Sequence, residues 1–146
     1  MIAMLLALQA STTAPPPSAA TPAPMLGVIE RQELPATGCA VFLWSSAGDR
    51  TLVAMATATP ARIRLSPFGG PVTDLARVGG EGPASFGFAQ SATYKAGAVT
   101  VTLSLTIATR ADLTAGAAVP QGALMLEAPG RDAVVVPVAG LIGCRT

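Results

Sequence analysis

Histidine is absent from this chain of 146 residues. Its absence removes the commonest general base and the commonest metal ligand together. Neither a Ser-His-Asp nor a Cys-His site can be assembled, and no His-bearing zinc site either. Charge is also scarce: nine basic and eight acidic side chains make up 12% of the chain and leave a net charge of +1. The cations are scattered from Arg31 to Arg145, so there is no electrostatic footprint for nucleic acid. Aromatic residues are only 4% of the chain, and Trp44 and Tyr94 are the only amphipathic ones able to anchor a ligand. No stretch sustains a 3.6-residue apolar period, which excludes a helical bundle.

What is present begins with a short apolar run, Ile2–Leu8, followed by Gln9 and Ala10. The run resembles the hydrophobic part of an export signal, and small Ala10 suits a cleavage position. A span this short cannot cross a bilayer as a helix, which needs about 20 residues, so no transmembrane helix is expected here. Residues 10–24 contain only Ala, Ser, Thr and Pro, with five prolines. Such a stretch has little to bury and favours extended geometry, and it reads as a disordered tether. The expected organisation is therefore an export signal over 1–10, a linker over 11–26 and a single β domain over 27–146. The expected location is periplasmic or secreted.

Cys39 and Cys144, the two cysteines, stand at opposite ends of the expected domain. In an exported chain an even cysteine count points to pairing, here a disulfide between the first and last strands. Two lone thiols without histidine make a poor metal site, and a redox pair normally shows Cys-x-x-Cys spacing. No metal or cofactor is expected.

Val99–Ile107 (VTVTLSLTI) carries the clearest pattern: apolar residues at odd positions alternate with Thr or Ser at even ones. That is a strand with one face in the core and one in water. Cys39–Ser45 reads as a buried apolar strand, with Gly48-Asp49 turning into Arg50–Thr57. Ala61–Ser66 alternates Arg62 and Arg64 outward with Ile63 and Leu65 inward. After the breaker Phe68-Gly69-Gly70-Pro71 comes Val72–Val78, and Ser85–Gln90 reads as a short strand with Phe86 and Phe88 on one side. Ala123–Ala128 and Ala133–Ile142 flank a hairpin loop at Pro129–Asp132. Gly79–Pro83 reads as a flexible surface loop, and 108–122 as a loop with room for a helical turn near Ala111–Ala115. The fold expected is all-β: a small antiparallel sandwich or barrel of about eight short strands.

Motifs add little. Leu34–Gly38 spells LPATG, the sortase pattern, but far from the carboxyl terminus where that pattern works. Thr37-Gly38-Cys39 lacks the apolar run of a lipoprotein box. Gly79–Pro83 lacks the Lys-Ser/Thr ending of a P-loop. Six carboxylates, Asp49, Asp74, Glu81, Asp112, Glu127 and Asp132, show no spacing that favours a catalytic pair. Tyr94, read as exposed, and Arg62 and Arg64 are the candidate ligand-binding residues, while Trp44 reads as core. A cysteine near each end of a β region, over roughly 39–144, is similar to the layout of the small periplasmic lysozyme inhibitors. That resemblance implies a barrel that blocks an extracellular hydrolase. Gln90–Tyr94 is the nearest stretch to their inhibitory loop and lacks its Ser-Gly pairing, so no inhibitory residue carries over. The function expected is non-enzymatic: an envelope binding or structural protein with an envelope protein or ligand as partner, or else a hydrolase inhibitor. Protein recovered from outside the cytoplasm of its native host should show an intact mass lacking the amino-terminal segment. Its two cysteines should take up an alkylating agent only after reduction; a full-length, fully reduced cytosolic species would remove the compartment reading.

Overall fold

Strict alternation in VTVTLSLTI dictates a half-buried strand, and the computed structural model, which describes residues 25–146, has it. Strand β7 (Val99–Ala108) turns Val101, Leu103 and Leu105 into the core and Ser104 and Thr106 to solvent. The expected export signal over 1–10 and the Ala/Ser/Thr/Pro tract over 10–24 lie outside the described residues.

The other elements are β1 (Leu26–Gly27), β2 (Gly38–Ser45), β3 (Leu52–Thr57), β4 (Arg62–Pro67), β5 (Thr73–Ser85), β6 (Phe88–Ala96), β8 (Gly116–Glu127) and β9 (Val134–Arg145). From β2 to β9 each strand pairs antiparallel with the next, and β9 returns to pair with β2. The result is a closed eight-stranded up-and-down barrel, with β1 added beside the end of β4. Of the two architectures the sequence left open, it is the barrel.

Eight strands enclose a lumen only wide enough for side chains to fill. Here Val41, Leu43, Ile63, Leu65, Leu75, Val101, Leu103, Leu124 and Leu126 fill it and are essentially inaccessible. Each such aliphatic side chain contributes about 1.5–3 kcal/mol of hydrophobic stabilisation. Phe86, Phe88, Ala58, Ile107 and the cystine sulfurs pack at one end of the lumen, and Leu26, Phe68, Ala96, Val99 and Val134 at the other. The lumen is a core and not a container. Charges such as Arg62, Arg64, Asp74 and Lys95 sit outside, the reverse of a membrane barrel with its polar interior and apolar wall.

Three local expectations are corrected. Gly79–Pro83 is not a free loop: it continues β5, pairing with β6 through Gly79↔Thr93, Gly80↔Ala92 and Glu81↔Ser91, with bulges on either side. Glycines read as part of a flexible loop supply the kinks a bulged strand needs. Phe86 does not lie on a strand beside Phe88. With Gly87 it forms the hairpin turn, both at positive φ (55° and 83°), the geometry of a two-residue turn that matches strand twist. The segment near Ala111–Ala115 forms a turn from Arg110 to Leu113 and no helix, and β8 starts as early as Gly116.

Closure rests on the β2–β9 seam, where eight register pairs run from Gly38↔Arg145 to Ser45↔Val138. Cys39 and Cys144 stand directly opposite there, bonded, with Cα atoms 4.0 Å apart. Near the middle of the seam, Gly140 approaches β2 so closely that a Cβ would collide with the Phe42 carbonyl oxygen. The bridge spans a sequence separation of 105, and a loop of that size corresponds to about 4–5 kcal/mol in the chain-entropy account. Replacing both cysteines with serine should cost about 2–5 kcal/mol, read as a lower urea midpoint. An unchanged midpoint would show that backbone pairing alone closes the barrel.

Candidate functional site

The arginines singled out from the sequence lie together on the outer face of β4, opposite β5. Arg64 and Asp74 are directly paired in register. The Arg64 guanidinium grips the carboxylate in a two-point contact, Nε to Oδ1 at 2.7 Å and Nη2 to Oδ2 at 3.0 Å. Its remaining Nη1 donates to Gln32 Oε1 at 2.9 Å. Gln32 belongs to residues 28–37, a strap that crosses the outside of the barrel from β1 to β2. The hydrogen bonds from Arg64 hold the Asp74 carboxyl below its ordinary value, against a smaller opposing effect of burial, and the same contact raises Arg64. Arg64 is thus engaged in fastening the strap. Arg62 and Arg64 border a crevice of about 40 Å³, room for a water and not for a ligand. Arg77 folds back on its own strand, Nε donating to Gly79 O at 3.3 Å.

Tyr94, read as exposed, is 2% accessible. It lies on the inward face of β6, and desolvation raises its hydroxyl pKa, with Arg77 partly offsetting the effect. The run Cys39–Ser45 is not buried on both faces either. Val41 and Leu43 point into the lumen, while Ala40, Phe42 and Trp44 point outward. Ile29 and Leu34 of the strap cover Ala40 and Phe42 together with Met55, and Ile29 N donates to Leu52 O at 2.9 Å. Trp44 lies beyond that cover. The two aromatics have therefore exchanged places: Tyr94 is core, and Trp44 lies half-buried on the outer face. Period-two reading of CAVFLWS holds the signal for this, since every wall strand of a barrel keeps one face outside.

Around Trp44 the surface is shaped into a groove of about 610 Å³. The register sets Ala139 opposite Trp44 and Leu141 opposite Phe42. Small Ala139 and Gly140 leave room beside the indole, and Leu141, 48% accessible, forms a wall. Phe42 backs the indole with ring centroids 6.4 Å apart. Bulges border the groove on both sides, one at Leu43/Trp44 against β3 and one between Val119 and Gly122 that presents Pro120. Bulges of this kind re-aim side chains and gather beside functional sites. Ser45, Ser46 and Arg50 complete the rim. Arg50 has no acidic partner within ion-pair distance among the described residues.

The groove offers an apolar floor, two hydroxyls and one cation. Ser45 Oγ donates to the Ala47 carbonyl at 2.8 Å, and no group among the lining residues can act as a base toward either serine. Among the described residues no three His, Cys, Asp or Glu side chains come together to hold a metal. Of the carboxylates considered from the sequence, Asp74 and Asp112 pair with Arg64 and Arg110.

Because Asp74 is lowered by Arg64, the pair stabilises the fold above the ordinary carboxyl pKa of about 4, and this is lost as pH falls through the lowered value. The two side chains are 40% and 37% accessible, so solvent screening limits the effect to about 0.5–1 kcal/mol. Asp74→Asn should destabilise the fold by that amount at neutral pH, read as a lower urea midpoint, and the gap from the parent should narrow as pH falls below the ordinary carboxyl value of about 4. A gap constant with pH would show that the strap does not depend on the charge. No family model, curated protein or solved structure matches the chain, so the chemistry of the groove carries the functional reading.

Proposed function

We propose that this chain is a non-enzymatic binding protein of the periplasm or cell exterior, and that it holds a partner protein against the Trp44 groove. The observation that carries the reading is a half-buried indole on the outer face of β2, beside an accessible leucine of β9 and, on the β2–β3 connection, an arginine with no acidic partner among the described residues. Tryptophan and arginine are the residues that dominate binding energy at protein interfaces. An apolar floor rimmed by one cation suits a segment presenting a hydrophobic side chain next to a carboxylate. Sites on strands of a rigid barrel are pre-organised, so little ordering cost is left for the moment of binding.

Export and the disulfide belong to the same reading. A barrel closed by a cystine keeps its staple where the surroundings are oxidising. A narrower version makes the partner an extracellular hydrolase such as lysozyme, favoured by the rigidity that inhibitors of such enzymes share.

A photo-crosslinking residue at Ser46 should capture a discrete partner in the native envelope, and the same residue at Lys95 should not. Trp44→Ala combined with Arg50→Ala should weaken that capture by roughly two orders of magnitude, as expected for two interface anchors of about 1–2 kcal/mol each. Equal capture at both positions, or capture indifferent to the double substitution, overturns the groove as the docking surface. Lysozyme turnover measured with excess protein decides the narrower version, which an unchanged rate discards.

A further inference from the structure

A second surface lies across β8 from the Trp44 groove, and it arises where two strands part. The β6–β7 ladder runs from Ala96↔Val99 only as far as Ser91↔Ser104. Beyond that point β6 continues to Phe88 paired only with β5, and β7 continues to Ala108 paired only with β8. Between Phe88–Gln90 and Leu105–Ile107 the barrel wall therefore opens, and backbone groups on both lips have no ladder partner across it.

The opening is a cleft of about 390 Å³, continuous with a further 220 Å³ through the shared residues Gln90, Leu105 and Thr106. Its lining comes from four strands and holds no charge: the amides of Gln90 and Gln121, and the hydroxyls of Ser85, Ser91, Ser104 and Thr106. None of these six side chains hydrogen-bonds another protein group among the described residues. The register gathers them, with Ser91 opposite Ser104 and Thr106 opposite Gln121. Gly122, which has no side chain, leaves the β8 wall low. Pro83 and Ile107 give the smaller part an apolar side.

We propose that this cleft binds a neutral saccharide chain. Amides and hydroxyls supply donors and acceptors at once, which is what a ligand carrying many hydroxyl groups requires. A charged ligand would find nothing in the lining to neutralise it, and an apolar one would leave the amides without partners. The C–H face of a sugar ring has Pro83 and Ile107 to pack against. An extended peptide inserted between the parted lips is the competing occupant. The lips favour the sugar, because only three residues of β6, Phe88–Gln90, are left without β7 partners, too short a run for a stable added strand.

The test uses the whole chain with chitotetraose, cellotetraose and maltotetraose as probes, followed by backbone-amide NMR. At least one sugar should shift the amides of Gln90, Ser104 and Gln121 saturably, with a Kd of about 1 mM or tighter. Gln90→Ala with Gln121→Ala should weaken binding by about tenfold or more, as the loss of two polar contacts implies, at an unchanged melting temperature. Trp44→Ala should leave it untouched, which separates this site from the protein-docking groove. The proposal is overturned if none of the three sugars gives saturable shifts there up to about 10 mM. It is overturned equally if the shifts survive the double substitution, or if only an uncharged strand-forming peptide produces them.

Discussion

Seven of the eight seams in this barrel join strands that follow one another, and each can form as a local hairpin. The eighth, β2 against β9, joins residues from opposite ends of the barrel sequence, with Cys39 and Cys144 separated by 105. Closing so long a loop is the costliest step in conformational entropy, and the leucines and valines of the lumen leave water only when it is made. An open eight-stranded ribbon would present those side chains to solvent along one whole face. The disulfide acts where it counts most, since it shortens the chain that must be searched to make this one pairing. Gly140 serves the same seam, because the backbones meet there at a distance no side chain permits.

The strap of residues 28–37 depends on that closure in turn. Ile29 rests on Ala40 and Met55 of β2 and β3, while Leu34 lies against Gly143 of β9, so the strap spans the seam from outside. Its polar fastening is the Arg64–Asp74 pair with Gln32, and its apolar part covers Phe42. What the strap leaves uncovered is as consequential as what it covers. Trp44 sits one pleat beyond its reach, and the exposed apolar surface of the barrel begins there.

Strand β7 was legible because each of its residues follows the period: small polar outside, branched or aliphatic inside. Strand β2 was legible as a strand but not as to its faces, because Phe42 and Trp44 are as hydrophobic as Val41 and Leu43, and only the pleat distinguishes them. Tyr94 was misplaced for a related reason. Lys95 and Gly97 beside it signal exposure, yet Lys95 merely faces the other way on the same strand. Gly79–Pro83 has the composition of a loop, and nothing local reveals that Thr93, Ala92 and Ser91 stand across from it to hold it in a ladder. Barrel and sandwich share the same strand pattern, and the choice lies in one long-range pairing that local periodicity does not encode. Both surfaces proposed for binding arise where the pairing of neighbouring strands is interrupted, at Leu43/Trp44, between Val119 and Gly122, and beyond Ser91↔Ser104.

Strand β8 joins these two surfaces. Between Val119↔Gly140 and Gly122↔Val138 it carries two residues, Pro120 and Gln121, against the single Ala139 of β9. Proline has no N–H to offer a ladder, and a bulge is one of the few places within a sheet that tolerates it. The extra residue breaks the alternation, so that Pro120 lines the apolar groove beside Trp44 while its neighbour Gln121 lines the uncharged polar cleft. A regular strand would set two adjacent residues on opposite faces and bury one of them; the bulge lets both remain outside with different chemistry. With the lumen filled, the proposed binding has only the outer wall to use. The wall gains its relief where the ladder is interrupted: at Leu43/Trp44, at Pro120, and where β6 and β7 part. A sheet closed by one covalent seam holds those interruptions in fixed positions, and for the proposed binding function such pre-organisation lowers the ordering cost that a shallow groove on a barrel wall has to meet.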